Sequence, residues 1–549
     1  MTQGGEGGEG GPGDPDGSGT PAALPAAGDS SAWAPLAQRA FRWLWLGMLF
    51  SWIGTWMQTV GAQWLLVDEP NAAVLVSLVQ AATTLPLMLL ALPGGVLADS
   101  FDRRRLLLTV QAYLVVLGIL LTVFAAAGLM PPTLLLAFTL ALGVGAAVQL
   151  PTWQALIPEL VPRAQLRAAT GLDAVSVSGA RAIGPVLAGL VIAYLGGVPV
   201  VFALYAVCAA VFAVAVFFWR RPEAGVEARR ERFVPALRAG GRYVWHEPVV
   251  RRILLRVILF VAPAMALWAL LPLIASQRLG LGAAAYGALF GAFGVGAIVG
   301  AAVLRRVRDH LSTNGLLTAA GLLYAAASGL IVLIPGLPTA LAILVLAGLA
   351  WMAVASTLAA EVQLFLPAWV RARGLAIYTV AFTGSMTVGA LLWGAVAEGL
   401  GLQPAFLLSA VVLLAGVIAA VFLRVPATGH LDREPAIYWP EARLAFDPLP
   451  DTGPVLVTVE LFVTPEREAA FLEAMDHLRQ SRRRTGATRW ALYRDGDRPD
   501  RFVEVFSIPS WEEHLRQHSG RLTATDKDIE NAALGFSDPP AQAQHLLPP

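Results

Sequence analysis

Between Phe41 and Leu423 the chain runs as apolar stretches of about 20 residues separated by short polar connections. Twelve such stretches can be counted, at 43–66, 73–93, 105–128, 133–153, 168–195, 198–219, 252–275, 284–304, 315–335, 339–362, 373–397 and 403–424. At about 1.5 Å per residue each is long enough to cross about 30 Å of hydrocarbon. Backbone polar groups in lipid must be satisfied within their own segment, so the pattern predicts twelve transmembrane helices.

Outside this region the pattern changes. Residues 1–35 are rich in Gly, Pro and acidic residues with few large apolar groups, which predicts a disordered tail without the marks of a secretory signal. The helices divide into an N-terminal six-helix bundle (36–220) and a C-terminal one (251–425), joined by a loop at 221–250. A Pro-rich, charged linker (426–453) leads to a soluble domain at 454–549. There "VLVTVELFV" reads as a strand, and Thr464-Pro465 opens an amphipathic helix running through Arg483. "TRWALYRD" and "RFVEVFSI" flank an Asp-Gly turn as a hairpin, and "SWEEHLRQHSG" supplies a helix start and a Gly stop.

Composition agrees with the hydropathy pattern: the 549 residues are 56% hydrophobic and 14% charged. The net charge of +1 predicts no nucleic-acid partner. The single cysteine, Cys208, excludes an intrachain disulfide and a cysteine-based metal cluster. Charge placement is more informative. One set of connections carries Arg39 and Arg42, Arg103 to Arg105, Arg163 and Arg167, the run from Arg220 to Arg252, Arg305 to Arg308, and Arg371 with Arg373; the alternate set carries only Arg278. The positive-inside rule places the Arg-rich set, and with it both termini, in the cytoplasm.

An offset of 205 positions superimposes Gly95 on Gly300, Arg103 on Arg308, Pro162 on Pro367, Gly179 on Gly384, Gly184 on Gly389, Gly189 on Gly394, Gly196 on Gly401 and Pro199 on Pro404. Six spans per copy keep the two copies in the same direction, which predicts a pseudo-two-fold along the membrane normal, the parallel-repeat arrangement of alternating-access carriers.

The connection "GGVLADSFDRRRLLL" after the second span carries Gly95, Asp99, Arg103 and Arg104 at the spacing of the signature of the major facilitator superfamily, which the chain resembles. Ser100 and Asp102 depart from that signature. Gly95 permits close helix approach, and an Asp at the membrane edge can face the positive end of another helix, a contact worth about 0.3–2 kcal/mol. The resemblance implies that this helix is the eleventh, beginning near Arg373 and Gly374, and that the contact latches the cytoplasmic side in the outward-facing state. Plain positive-inside anchoring is the alternative.

The fifth span, "GLDAVSVSGARAIGPVLAGL", resembles the antiporter motif of the same superfamily through Gly171, Gly184, Pro185 and Gly189, with Ala180 and Ala188 where glycines are usual. Small residues at this spacing form a close-packing groove, and the resemblance implies proton-driven export. Arg181 lies inside the motif near mid-membrane, where an uncompensated charge costs at least about 2.5 kcal/mol, so it should face the bundle interior with a partner. Asp173 is a candidate proton site; its offset of about 80° around the helix argues against direct pairing with Arg181. The family's usual arginine in the fourth span is missing.

The resemblance implies that spans one, four, seven and ten line the cavity. The first offers Trp52, Trp56 and Gln63 on one stripe with Gln58 nearby, and Trp268 and Trp351 lie in the seventh and tenth, a set suited to a bulky amphipathic substrate. Packing or lipid-facing tryptophans are the alternative, and Glu361 reads as a gate or surface residue. The soluble domain is similar to ferredoxin-like modules of the antibiotic-biosynthesis monooxygenase type, and with the twelve helices it resembles the transmembrane secretion effectors, to which enterobactin-type exporters are related. The single-domain relatives implied by this resemblance pair through their sheets, so dimerisation or ligand sensing is the expected role. His477, His514 and His518, lacking another identifiable ligand, read as surface histidines; no metal, cofactor or catalytic residue is expected.

The sequence thus predicts an all-α polytopic membrane protein of two parallel six-helix repeats with a small cytoplasmic α+β domain. Its expected place is the bacterial inner (plasma) membrane, and its expected partners are a small-molecule substrate, protons and the lipid bilayer. The expected function is proton-coupled export of hydrophobic or amphipathic molecules, drug-like or siderophore-like. An uptake symporter and a membrane-tethered enzyme or sensor are the alternatives.

Overall fold

The computed structural model describes residues 31–220, 233–426, 444 and 446–548. Nearly all of the expected N-terminal tail, and most of the linker, lie outside the described residues. The first bundle consists of α1 (Arg39–Leu65), α2 (Ala72–Ser100), α3 (Arg103–Ala126), α4 (Pro132–Leu160), α5 (Leu166–Tyr194) and α6 (Val198–Phe218). A further helix, α7 (Phe233–His246), precedes the second bundle of α8 (Pro248–Leu273), α9 (Ala283–Arg308), α10 (Thr313–Leu333), α11 (Leu337–Phe365), α12 (Ala368–Leu400) and α13 (Leu402–Phe422). The helices overlap all twelve predicted stretches, several running further into the connections.

Eleven of the described helices are long and apolar enough to cross a membrane. The remaining bundle helix, α1, has the length at 27 residues, but its polar side chains lower its hydropathy. Ser51, Gln58, Thr59 and Gln63 are all buried, so these groups face protein and not lipid. The connection expected as a loop at 221–250 contains α7, which packs on α12 and on the appended domain and buries Tyr243 and Val244. An amphipathic helix beside charged termini lacks the 20-residue apolar run that marked the other helices.

Helix pairing obeys the predicted pseudo-symmetry. Within the first bundle α1 packs on α5 and α6, α2 on α4, and α3 on α6; within the second α8 packs on α12 and α13, α9 on α11, and α10 on α13. The bundles meet along α2 with α12 and α5 with α9, two pairs that the same symmetry exchanges.

The appended domain contains β1 (Val455–Phe462), α14 (Glu468–Thr485), β2 (Arg489–Arg494), β3 (Arg501–Ile508), α15 (Trp511–Arg516), α16 (Ala524–Leu534) and β4 (Gln542–Leu546). Its antiparallel sheet has the strand order β2-β3-β1-β4, a ferredoxin-like βαββαβ arrangement. Alternation along β1 sends Val455, Val457, Val459 and Leu461 into a core with Phe471, Met475, Phe502 and Phe506. The hairpin between β2 and β3 is longer than an Asp-Gly two-residue turn: Asp495 accepts the Asp497 amide at 2.9 Å and pairs with Arg501 at 2.8 Å.

This domain is docked on the second bundle by charge. Arg484 pairs with Glu247, the cap residue of α8, at 2.9 Å and with Asp526 at 2.5 Å. Arg242 of α7 lies 3.5 Å from Glu513, which also pairs with Arg521 at 2.6 Å, and the Arg521 guanidinium stacks over Trp369 of α12. Burial alone would raise the Asp526 carboxyl, but the Arg484 charge and hydrogen bonds from Ser481, Arg484 and Thr523 hold it below its ordinary range.

Candidate functional site

The bundle interface is built from small residues. A Cβ on Gly184 would come within 2.7 Å of the Trp56 side chain, and one on Gly189 within 2.6 Å of the Ala283 carbonyl. On α9 the complementary positions are Gly287, Gly291 and Gly294: a Cβ on Gly287 would lie 2.5 Å from the Pro185 carbonyl, and one on Gly294 2.6 Å from Ala182. Thus the groove predicted in the fifth span is filled by a glycine stripe in α9, the part of the interface the sequence reading missed. Across the other seam Thr84 and Thr387 share a hydrogen bond of 2.8 Å, and Gly394 packs on Ser77.

These contacts cover only half the length of the helices. On α5 the stripe that packs α9 at Ala182, Val186 and Gly189 continues toward the Arg-rich end through Val175, 59% exposed, and Gly171 and Gly179 have open space where a Cβ would sit. On α9 the matching stripe runs from Gly294 to Ile298, 43% exposed, and on to the exposed Ala301 and Ala302. The bundles therefore touch at the Arg-poor end and part toward the Arg-rich end. Of the four motif residues, Gly184, Pro185 and Gly189 lie in the closed half and Gly171 in the open one.

Arg181 sits where closed gives way to open. Its guanidinium carbon is 5.4 Å from the ring centre of Trp56 in α1 and 5.4 Å from that of Trp268 in α8, so it is held between indoles of the two bundles. Each such contact is worth about 0.5–2 kcal/mol. No carboxylate pairs with Arg181 among the described residues, and its buried Nε has no hydrogen-bond partner there. Phe290 completes the aromatic wall, 5.6 Å from Trp56 and 5.4 Å from Trp268. Above it, the Tyr286 hydroxyl donates to Gln63 Oε1 at 2.5 Å across the bundles. Tyr286 and Phe290 were not foreseen, because nothing in a local reading of α9 ties them to α1.

Other predicted residues are distributed differently. Trp351 packs on Trp268 as a tilted ring pair at 5.3 Å, but both are 3% exposed within an aromatic cluster with Phe260 and Phe293, so Trp351 supports the site from behind. Trp52 is half-buried with the Arg-rich half of the first bundle, and Gln58 is buried. Asp173 accepts a 2.8 Å hydrogen bond from Trp153 Nε1 of α4. A buried amide pair, Gln111 to Gln149 at 2.8 Å, links α3 and α4, with Gln149 also donating to Ser51 of α1.

The signature after the second span makes contacts inside the first bundle. Arg103 pairs with Glu159 of α4 at 2.6 Å, and Arg104 donates to the Val216 and Phe217 carbonyls at the end of α6. Asp102, which replaces the usual glycine, accepts the Arg105 amide and caps α3. The surroundings of Gly95 and Asp99 lie outside the described residues. Glu361, read as a gate or surface residue, accepts from Thr313, and Arg308 donates to Thr357, so both help hold the Arg-rich end of the second bundle together.

The chain is 27% identical over 402 residues to the multidrug efflux pump Tap of Mycobacterium tuberculosis (strain ATCC 25618 / H37Rv), covering 70% of this chain and 92% of that protein. It is 27% identical over 157 residues to the staphyloferrin A transporter of Staphylococcus aureus (strain NCTC 8325 / PS 47), a match to 28% of this chain and 39% of that protein. In three dimensions it matches a bacterial homolog of the human lysosomal transporter Spinster in an inward-facing, unoccupied conformation, with TM-score 0.54 and 14% identity over 71% of this chain and 95% of the other. The nucleoside transporter NupG matches with TM-score 0.56 and 11% identity over 70% and 98%. These likenesses establish the transporter fold. Residues 30–547 match the family described as transmembrane secretion effector, and the chain belongs to that family of the major facilitator superfamily.

Proposed function

We propose that this protein is a proton-coupled exporter that binds small amphipathic molecules at the Arg181 site and releases them on the opposite side by alternating access. The observation that carries the reading is Arg181 itself: a buried guanidinium without a carboxylate partner among the described residues, between two indoles, at the level where the packed α5–α9 seam gives way to exposed positions. Such a site suits a molecule with an apolar or aromatic body and an anionic or strongly accepting group, which would complete the compensation that the chain leaves open. By the positive-inside rule the Arg-rich mouth faces the cytoplasm, the loading side for an exporter. The relatives named for multidrug efflux and for staphyloferrin A agree in class.

In this reading Asp173, held by Trp153 on the open half of α5, carries the proton. Asp99 latches onto the start of α12 when the cleft closes, and the other state is reached by separating the glycine seam. The appended domain serves dimerisation through its open sheet face, where Leu456, Val503 and Val505 stand, or ligand sensing, without turnover of its own. The test is transport in proteoliposomes under an imposed pH gradient with a panel of fluorescent amphipathic dyes. Arg181→Ala should lower flux at least about tenfold, as removal of about 1.4 kcal/mol or more of binding requires, and Arg181→Lys should retain part of it. Wild-type flux in Arg181→Ala would remove the proposal.

A further inference from the structure

The appended domain gathers three histidines from three separate pieces of backbone. His514 lies on α15, His518 in the π-helical turn that follows it (517–521), and His545 on β4. Register places His545 opposite Val457, on the sheet face covered by helices. One ligand nitrogen from each of the three lies within 4.8 Å of the others, and the Nε2 atoms of His514 and His518 are 3.1 Å apart. Two nitrogens on a tetrahedral metal with bonds of 2.0–2.1 Å stand about 3.3 Å apart, so this pair already has the required spacing. His514 is 1% exposed, contrary to the surface role expected of it, whereas His477 is exposed on α14 and stands apart.

We infer that His514, His518 and His545 form a binding site for a divalent first-row transition cation, Zn²⁺ foremost, with a fourth position open to water or a small ligand. An all-imidazole set selects such ions over Mg²⁺ and Ca²⁺, which prefer oxygen. The nearby Arg482 is compensated by Glu504 at 3.1 Å and Glu530 at 2.8 Å, leaving little net positive charge to repel a cation. Trp511 packs against His514 at 5.3 Å and fixes that ring from the N-terminal side. A π-turn carrying one of the ligands fits the frequent placement of such bulges at functional sites.

The test uses the full-length protein in detergent, purified through a tag without histidines, stripped with chelator and titrated with Co²⁺ alone. The site predicts one equivalent of Co²⁺ per chain, visible bands of low-symmetry four-coordinate Co²⁺, and displacement by Zn²⁺. His545→Gln and His518→Gln should each weaken binding more than about tenfold, and His477→Gln should not. Metal-free melting temperatures of each variant separate loss of ligand from loss of fold. Absence of saturable Co²⁺ binding by the wild-type chain overturns the inference, as does unchanged affinity in a His545→Gln protein that melts like wild type.

Discussion

At the scale of single residues, the contacts that matter most are those where a glycine leaves no room. The Cα of Gly287 approaches α5 so closely that a Cβ there would meet the Pro185 carbonyl at 2.5 Å and the Gly189 Cα at 3.0 Å, and backbone atoms cannot rotate away. Gly287→Ala should cost the closed seam about 1–3 kcal/mol by overpacking, a population shift of roughly 5- to 150-fold away from the conformation described here. Alkylation of Val175→Cys in a Cys208→Ser background measures this, because position 175 is open only while the bundles part at that end. Gly171→Ala, where a Cβ meets nothing within 4 Å, should leave the alkylation rate of this conformation unchanged. Equal alkylation in Gly287→Ala and the parent would show that the seam does not set the equilibrium.

At the scale of elements, alternating access requires that α2 separate from α12 and α5 from α9 at the Arg-poor end in each cycle. The Thr84 and Thr387 hydroxyls, 2.8 Å apart across the first of these seams, give a direct handle. In a Cys208→Ser background, Thr84→Cys with Thr387→Cys should form a disulfide on oxidation and stop transport, and reductant should restore it. Continued flux in fully cross-linked protein would mean that this seam stays closed throughout the cycle. Helices on either side differ in what they bury. Apolar α13 shows lipid-facing side chains such as Val411 and Ile418, while α1 turns its buried serine, threonine and glutamines toward protein. That asymmetry explains why α1 alone of the twelve bundle helices falls short in apolarity while packing as a full bundle member.

At the scale of the whole molecule, the appended domain rests on buried charge. Glu247 is 3% exposed and neutralised by Arg484, which also serves Asp526. Removing one partner strands the others in a dry interface at about 3–5 kcal/mol, whereas removing the whole domain returns Glu247 to water. Arg484→Ala should therefore lower the melting temperature more than deletion of residues 428–549 lowers that of the bundles, and the deletion should retain drug resistance. Lost resistance in a folded deletion protein would favour a tethered enzyme or sensor. Much of this molecule was legible in the sequence. Apolar run lengths located twelve helices, because lipid demands that each span satisfy its own backbone. The 205-residue offset anticipated symmetric bundles, and the mid-membrane position of Arg181 marked it as costly and so in need of a specific setting. What a local pattern does not encode is which distant surfaces meet. That α9 offers glycines to α5, that Trp56 and Trp268 close on Arg181, and that β4 brings His545 to His514 and His518 were decided only in the tertiary structure, since each depends on packing between segments far apart in the chain.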